Sequence, residues 1–385
     1  MKLRQLPEDF KVEEINNFDI LSKGDCKLYL LEKRSLETFS LLRYLSSKNK
    51  IPFSEFGIAG LKDKHAVTKQ YLTIPSKYDI NTICEKNFAI SFLGYIDKKL
   101  KLGDLAGNKF EIAARDIKKT DLDAIKQRAE SAINFGIPNY FDSQRFGSVI
   151  HNNFIAKHII KKGYELAVKT YLTLYPKSEN KRIKEEKRLI LKNWNALPTL
   201  QIKTKFLADV INEYSKSKSW LNAYKKINPS IRQIIVSAYQ SYLWNECIKE
   251  VLMQTIDKKR LYSVKYKVGS LLFYSSLSED EIIRIPKTFK IIGENMKASK
   301  YESGIIDKLL KKENISLADF DIRESGNFFA DYEREILAKP SNFNMSEPLT
   351  DELNSKNKNK CKVLLSFSLP KGSYATLIIK RIFSK

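Results

Sequence analysis

Cysteine and histidine are scarce in this 385-residue chain, which has four of one and three of the other. Cys26, Cys84, Cys247 and Cys361 lie far apart and form no CxxC, which argues against a zinc site or a disulfide framework. The histidines supply no ligand cluster, so no metal and no cofactor is expected. No apolar run approaches the roughly 18 residues of a membrane-spanning helix. The segment MKLRQLPEDFKVEEI lacks the apolar stretch of a signal peptide and is acidic by residue 8. There is no GxGxxG after a strand, no GxSxG, no HExxH, no paired-cysteine deaminase signature and no phosphate-binding loop. The chain therefore reads as a soluble protein of a reducing cytoplasm, without dehydrogenase, hydrolase or deaminase templates. Negative charge is also short: 45 acidic residues face 68 basic ones, a net charge of +23. A surface this basic attracts polyanions, and nucleic acid is the usual one. Of the basic residues 54 are lysine and only 14 arginine, a bias that does not by itself create net charge.

The length suits two domains, or one large domain with an insertion. Residues 8–15 and 26–33 read as strands. Ser35 is the expected N-cap of a helix carrying Leu36, Phe39, Leu42 and Leu45. Further strands are expected at 67–74, 87–95 and 109–115, with Gly103 and Gly107 marking a turn. A helix opens at Thr120 or Asp121 and ends at Gly136. This mixed order predicts an α+β domain. From about 153 the pattern becomes helical, over 153–172, 179–192, 202–216 and from Pro229 to about Met253. A strand-rich patch at 261–292 and short helices at 303–311 and 316–321 follow. Residues 349–360 read as an exposed polar turn, 361–369 as a strand and 374–383 as a helix. The terminal strand and helix match the character of the first domain, so the second is expected to be inserted into it. The expected division is 1–152 with 339–385, and 153–338.

The run from Gly60 to Gln70, GLKDKHAVTKQ, places Asp63 between Lys62 and Lys64 at a loop edge. Cations on both sides favour its charged form, and an ionised carboxylate there is suited to act as a nucleophile or base. The same residues fit a solvated turn, and local chemistry alone does not separate the two. His65 reads as a structural or RNA-edge histidine rather than a base. The segment from Asn139 to Gly147, NYFDSQRFG, is dense in rings and amides. It offers stacking and an amide that reads a base edge, or else a strand with alternate residues buried. Phe10 in PEDFKVEE and Tyr374 in LPKGSYAT fit either pocket or core. Arg145, Lys380 and Arg381 suit carboxylate or phosphate partners.

Taken together, PEDFKVEE at 7–14, FGIAGLKDKHAVTKQ at 56–70, LKLGDLAGNKF at 100–110, IPNYFDSQRFG at 137–147 and LPKGSYAT at 369–376 resemble the TruD family of tRNA pseudouridine synthases in content and order. SAYQSYLWN at 237–245 adds to the likeness. The resemblance implies a mixed, mainly antiparallel pseudouridine synthase sheet and an inserted, largely helical TRUD domain facing it across a cleft. It implies isomerisation of uridine 13 of tRNA by a cytoplasmic monomer with no cofactor. Asp63 falls on the nucleophile, and Phe10, Asn139, Phe141 and Tyr374 on substrate-contacting positions. Arg4, Lys62, Lys64, His65, Arg145 and Lys380 are candidate RNA contacts. Tyr374 stands where phenylalanine is usual, Lys380 where arginine occurs and Arg4 where lysine occurs. Two other readings compete: a non-catalytic RNA-binding protein or chaperone on this fold, and a synthase for another RNA. A pure binder has no need of Asp63.

Overall fold

The computed structural model describes residues 1–354 and 359–384. Its contacts divide the chain into two compact units, Met1–Ile137 with Ala338–Lys385, and Pro138–Leu337.

The first unit is built on one large sheet. Its strands are β1 (Phe10–Ile15), β2 (Cys26–Arg34), β3 (Gly57–Ile58), β4 (Val67–Pro75), β5 (Ile83–Glu85), β6 (Phe88–Ile96) and β7 (Gly107–Lys118), joined by Ser341–Met345 and Lys360–Pro370 from the end of the chain. The order runs Ser341–Met345, Lys360–Pro370, β7, β1, β4, β2, β6, β5, with β3 also on β4. β1 and β4 run parallel, with Lys11 opposite Val67. The other pairings are antiparallel, including Phe367 opposite Phe110 and Leu31 opposite Gln70. Gly107 is required where β7 meets Lys360–Pro370, because a Cβ there would lie 2.3 Å from the Leu369 carbonyl oxygen.

Helix α1 (Thr38–Asn49) buries Leu41, Leu42 and Leu45 against Tyr29, Leu31, Leu72, Ile74 and Ile90 of the sheet. Apolar residues at helical spacing meeting a pleated apolar face is what the sequence pattern dictates. The cap is not the expected one. Ser35 lies in the left-handed region at φ 55°, and Glu37 caps instead, accepting from Phe39 N and Ser40 N. Helix α2 (Leu122–Phe135) ends at Gly136, φ 72°, and packs with the terminal helix Ala375–Phe383.

A buried ion cluster ties the ends of the unit together. Arg115 of β7 donates to Asp9 (2.8 Å) and Asp351 (3.0 Å), and Asp351 also accepts from Asp116 N. Asp351 is 1% exposed, so this part of the expected exposed turn is interior; residues 355–358 of that turn lie outside the described residues.

The second unit surrounds the 27-residue helix Pro229–Thr255, which Asn228 caps by accepting from Ser230 N. Its buried face includes Leu243, Trp244, Cys247, Ile248 and Val251. The single helix expected at 153–172 is two, Ile155–Ile160 and Tyr164–Thr173, broken where Lys162 turns left-handed before Gly163. The strand-rich patch contains the hairpin Leu261–Tyr266 with Gly269–Tyr274, but helix Glu279–Arg284 interrupts it. Residues 138–152, expected in the first unit, cluster with the second, because Tyr140 and Phe141 hydrogen-bond to Leu272 and Asn245 there. Among the described residues, no helix is long and apolar enough to cross a membrane.

Replacing Arg115 by Met leaves the Asp9 and Asp351 carboxylates buried without their cation. Urea denaturation should show a loss of about 3–5 kcal/mol. A loss under about 1 kcal/mol would mean that the carboxylates are satisfied by other groups.

Candidate active site

Asp63 sits in the loop between β3 and β4. One carboxylate oxygen, Oδ2, pairs with Arg4 Nη1 at 2.8 Å. The other, Oδ1, accepts from His65 N at 2.9 Å. A cation paired with this carboxylate is thus Arg4, 59 positions away, whereas the neighbouring Lys62 turns to Glu14. The Arg4 guanidinium also lies over the Phe10 ring, 4.1 Å from its centroid, so Asp63, Arg4 and Phe10 form one cluster. Asp63 and Arg4 side chains are 13% and 26% exposed, enough for a substrate to reach them.

Lys62 does something different from what the sequence suggested. Its side chain is 6% exposed and pairs with Glu14, which is fully buried, so it is not an RNA contact. Glu14 follows Phe10 and Val12 on the buried phase of β1. The parallel pairing of β1 with β4 ends at Glu13 opposite Lys69. Beyond it, Glu14 Oε2 accepts from Tyr71 N at 2.7 Å, and the carboxylate fills the gap between the two strands. Burial pushes the Glu14 carboxyl up, against the lowering influence of the Lys62 charge and the Tyr71 N–H.

Lys33 completes the loop's support. Its side chain lies in the interior, and Nζ donates to the carbonyls of Leu36 (2.8 Å), Asp63 (3.2 Å) and Lys62 (3.5 Å). Burial brings its ammonium down to about 8, although the charges of Asp63 and Glu37 oppose this. Lys64 and His65 are exposed, as RNA contacts need to be. Tyr374 is half-buried at the N-cap of Ala375–Phe383, and Lys380 is half-buried on that helix.

In the second unit, Asn139, Phe141 and Arg145 come together through a residue the sequence did not single out, Arg334. Its guanidinium donates to Asn139 O and Oδ1, each at 2.8 Å, and lies 4.2 Å from the Phe141 ring centroid. Asn139 Nδ2 donates to Glu335 O at 3.2 Å. Phe141 meets Trp244 edge-on, and Arg145 lies 5.5 Å from the same ring while donating to Ser241 Oγ. Residues 136–142 are buried without interruption, so this is not a strand with alternate faces. Nothing in Asp-Tyr-Glu-Arg-Glu-Ile marks Arg334 as part of a site. Glu14 and Lys33 did carry a signal: each is a charge on the apolar phase of a strand.

The Lys33 contacts give a pH test. The unfolded chain holds this proton to about pH 10.5 and the folded chain to about 8, so between these values the unfolded state binds more protons. Its contribution to stability therefore rises with pH across that window. The stability of wild type relative to Lys33→Met should climb by up to about 1.4 kcal/mol per pH unit there. A flat difference in urea unfolding from pH 8 to 10 would contradict it.

Comparisons with known proteins bear on the same residues. A family profile described as tRNA pseudouridine synthase D (TruD) matches residues 1–382. A Methanocaldococcus jannaschii relative named Probable tRNA pseudouridine synthase D 2 is 43% identical over all of this chain and 92% of its own. The tRNA pseudouridine synthase D of Aquifex aeolicus is 32% identical, covering 100% and 98%. A TruD crystal structure from Methanosarcina mazei aligns with a TM-score of 0.71 at 26% identity, covering 100% of this chain and 93% of that one. With the match running from the Arg4 segment through the Asp63 loop to the terminal helix, the chain belongs to the TruD family of tRNA pseudouridine synthases, which are isomerases.

Proposed function

We propose that this protein isomerises uridine to pseudouridine at position 13 in the D arm of tRNA, with Asp63 as the nucleophile and no cofactor. The observation that carries the reading is the Asp63 carboxylate held by Arg4 beside the Phe10 ring. The reaction breaks the bond from uracil N1 to ribose C1′, turns the base and joins C5 to C1′. N1 gains a proton and C5 loses one, so atoms balance without an oxidant or reductant.

Three openings suit a carboxylate: addition to the uracil ring, attack on C1′, and removal of a ribose proton. Each starts from a charged oxygen, and Arg4 stabilises that charge. One Asp63 oxygen is held by Arg4 and the other by His65 N–H, which fixes the orientation of the carboxylate. The target base must leave its stack, which costs a few kcal/mol, and the half-buried Tyr374 supplies a ring to receive it, whereas Phe10, 4% exposed under the Arg4 guanidinium, acts by holding that group. The Asn139 amide is the proposed contact for a uracil carbonyl, and Glu335 O and Arg334 fix its orientation. Lys64, His65, Arg145 and Lys380 serve the RNA backbone, and binding weakens steeply with salt. The protein acts as a cytoplasmic monomer.

Asp63→Asn should abolish pseudouridine in a uridine-13 tRNA transcript, mapped by chemical labelling, while tRNA affinity stays within a few fold, as for a group used mainly in the transition state. An affinity loss well beyond that would make Asp63 structural. Wild-type protein that is folded yet forms no product would defeat the reading.

For Tyr374, removal of the ring and removal of the hydroxyl should separate. Tyr374→Ala should lower kcat by at least about tenfold, and Tyr374→Phe should stay near wild type, because the ring does the stacking. Equal kinetics for wild type and Tyr374→Ala would place this ring outside the site.

A further inference from the structure

Residues 164–226 form a helical lobe within the second unit. Helices Tyr164–Thr173, Lys181–Lys192, Lys205–Ser217 and Trp220–Lys226 pack on one another there. The lobe holds 14 lysines and arginines against six acidic residues, a net excess of positive charge per residue about twice that of the whole chain.

What these cations touch is unusual. Among the described residues, none of the 14 forms an ion pair with a carboxylate, whereas Lys157, Lys161 and Lys249 outside the lobe do. The lobe's acids are partly spent on neutral donors. Glu165 accepts from Trp194 Nε1 at 2.9 Å, and Glu186 accepts from Lys203 N and Thr204 N. Lobe cations meet rings instead. Lys169 Nζ lies 5.2 Å from the Trp194 ring centroid and Lys218 Nζ 5.9 Å from that of Tyr214.

Those rings are the outer members of a three-ring stack. Trp194 and Trp220 are within 8° of parallel with centroids 5.2 Å apart, and Trp220 and Tyr214 within 13° at 3.6 Å. All three are half-buried rather than interior. Each outer ring also has an ammonium within 6 Å of its centroid. Flat π faces set among unpaired cations are what an unpaired base and its flanking phosphates require.

We propose that this lobe is a second RNA-binding site, distinct from the Asp63 cluster. In it the Trp194–Trp220–Tyr214 stack receives an unpaired base and the surrounding lysines take the adjoining phosphates. It rests on the tRNA reading for its natural ligand, but not on catalysis by Asp63.

The chain's third tryptophan, Trp244, is fully buried, so in a full-length Trp244→Phe protein fluorescence reports the stack alone. An oligouridylate of about ten nucleotides should quench that emission saturably, and polyphosphate of equal charge should not. The exposed charge reversals Lys192→Glu, Lys216→Glu and Lys218→Glu, combined, should weaken tRNA and oligouridylate binding by about tenfold or more. They should also flatten the dependence of log Kd on log salt by about two, and leave kcat at saturating tRNA unchanged. Affinities within about threefold of wild type, no quenching, or equal quenching by polyphosphate would each overturn the proposal, leaving the stack as helix packing. The two readings fail separately. Quenching and salt dependence without pseudouridine formation would defeat the catalytic reading alone, and turnover without them would defeat the lobe's role alone.

Discussion

The position of Asp63 depends on two lysines placed where lysine is least at home. Lys62 enters the interior to meet Glu14, and Lys33 enters it to meet three backbone carbonyls. A buried ion pair is weak evidence of net stability, because desolvating two charges offsets most of their attraction. Its value here is geometric. Either charge left alone in the interior would cost several kcal/mol, so the loop has one conformation in which both are matched. Lys62 and Asp63 are adjacent, so anchoring the first inward presents the second outward to Arg4.

The sheet supplies the opening that this arrangement fills. β1 and β4 are its parallel neighbours among the described residues, and their pairing stops after Glu13 opposite Lys69. Where the strands part, a backbone N–H at Tyr71 needs an acceptor, and the Glu14 carboxylate provides it. Strand divergence, a satisfied amide, a buried lysine and a fixed aspartate are thus one chain of cause. Arg4 then joins Asp63 to the Phe10 ring, so the carboxylate and the ring share one guanidinium.

The same residue types serve opposite ends elsewhere. Arg334 is 9% exposed and uses its guanidinium to hold the Asn139 amide and cover the Phe141 ring, fixing a polar group among aromatics. Its planar fork suits that task better than a lysine would. Lys169 and Lys218 of the 164–226 lobe do the reverse, with charge unmatched by carboxylates and near rings. A net charge of +23 is therefore not a uniform coating, and each cation's surroundings decide whether it builds the fold or faces a polyanion.

Much of this was legible in the sequence. Alternation placed β1, β2, β4, β6 and β7, helical spacing placed α1 and α2, and Gly136 ended α2 through its left-handed backbone. The ordered motifs pointed to the family and to Asp63. What the sequence by itself did not determine were contacts between distant segments. Asp63 looked like a carboxylate between two lysines, yet one of them turns inward and Arg4 takes its place. Ser35 looked like a cap, but a left-handed turn passes that role to Glu37. Asp351 looked exposed until Arg115 claimed it. Local sequence fixes backbone propensity and the phase of burial. Only the tertiary structure decides which charge meets which, because attraction and desolvation both depend on distances that neighbours along the chain do not set.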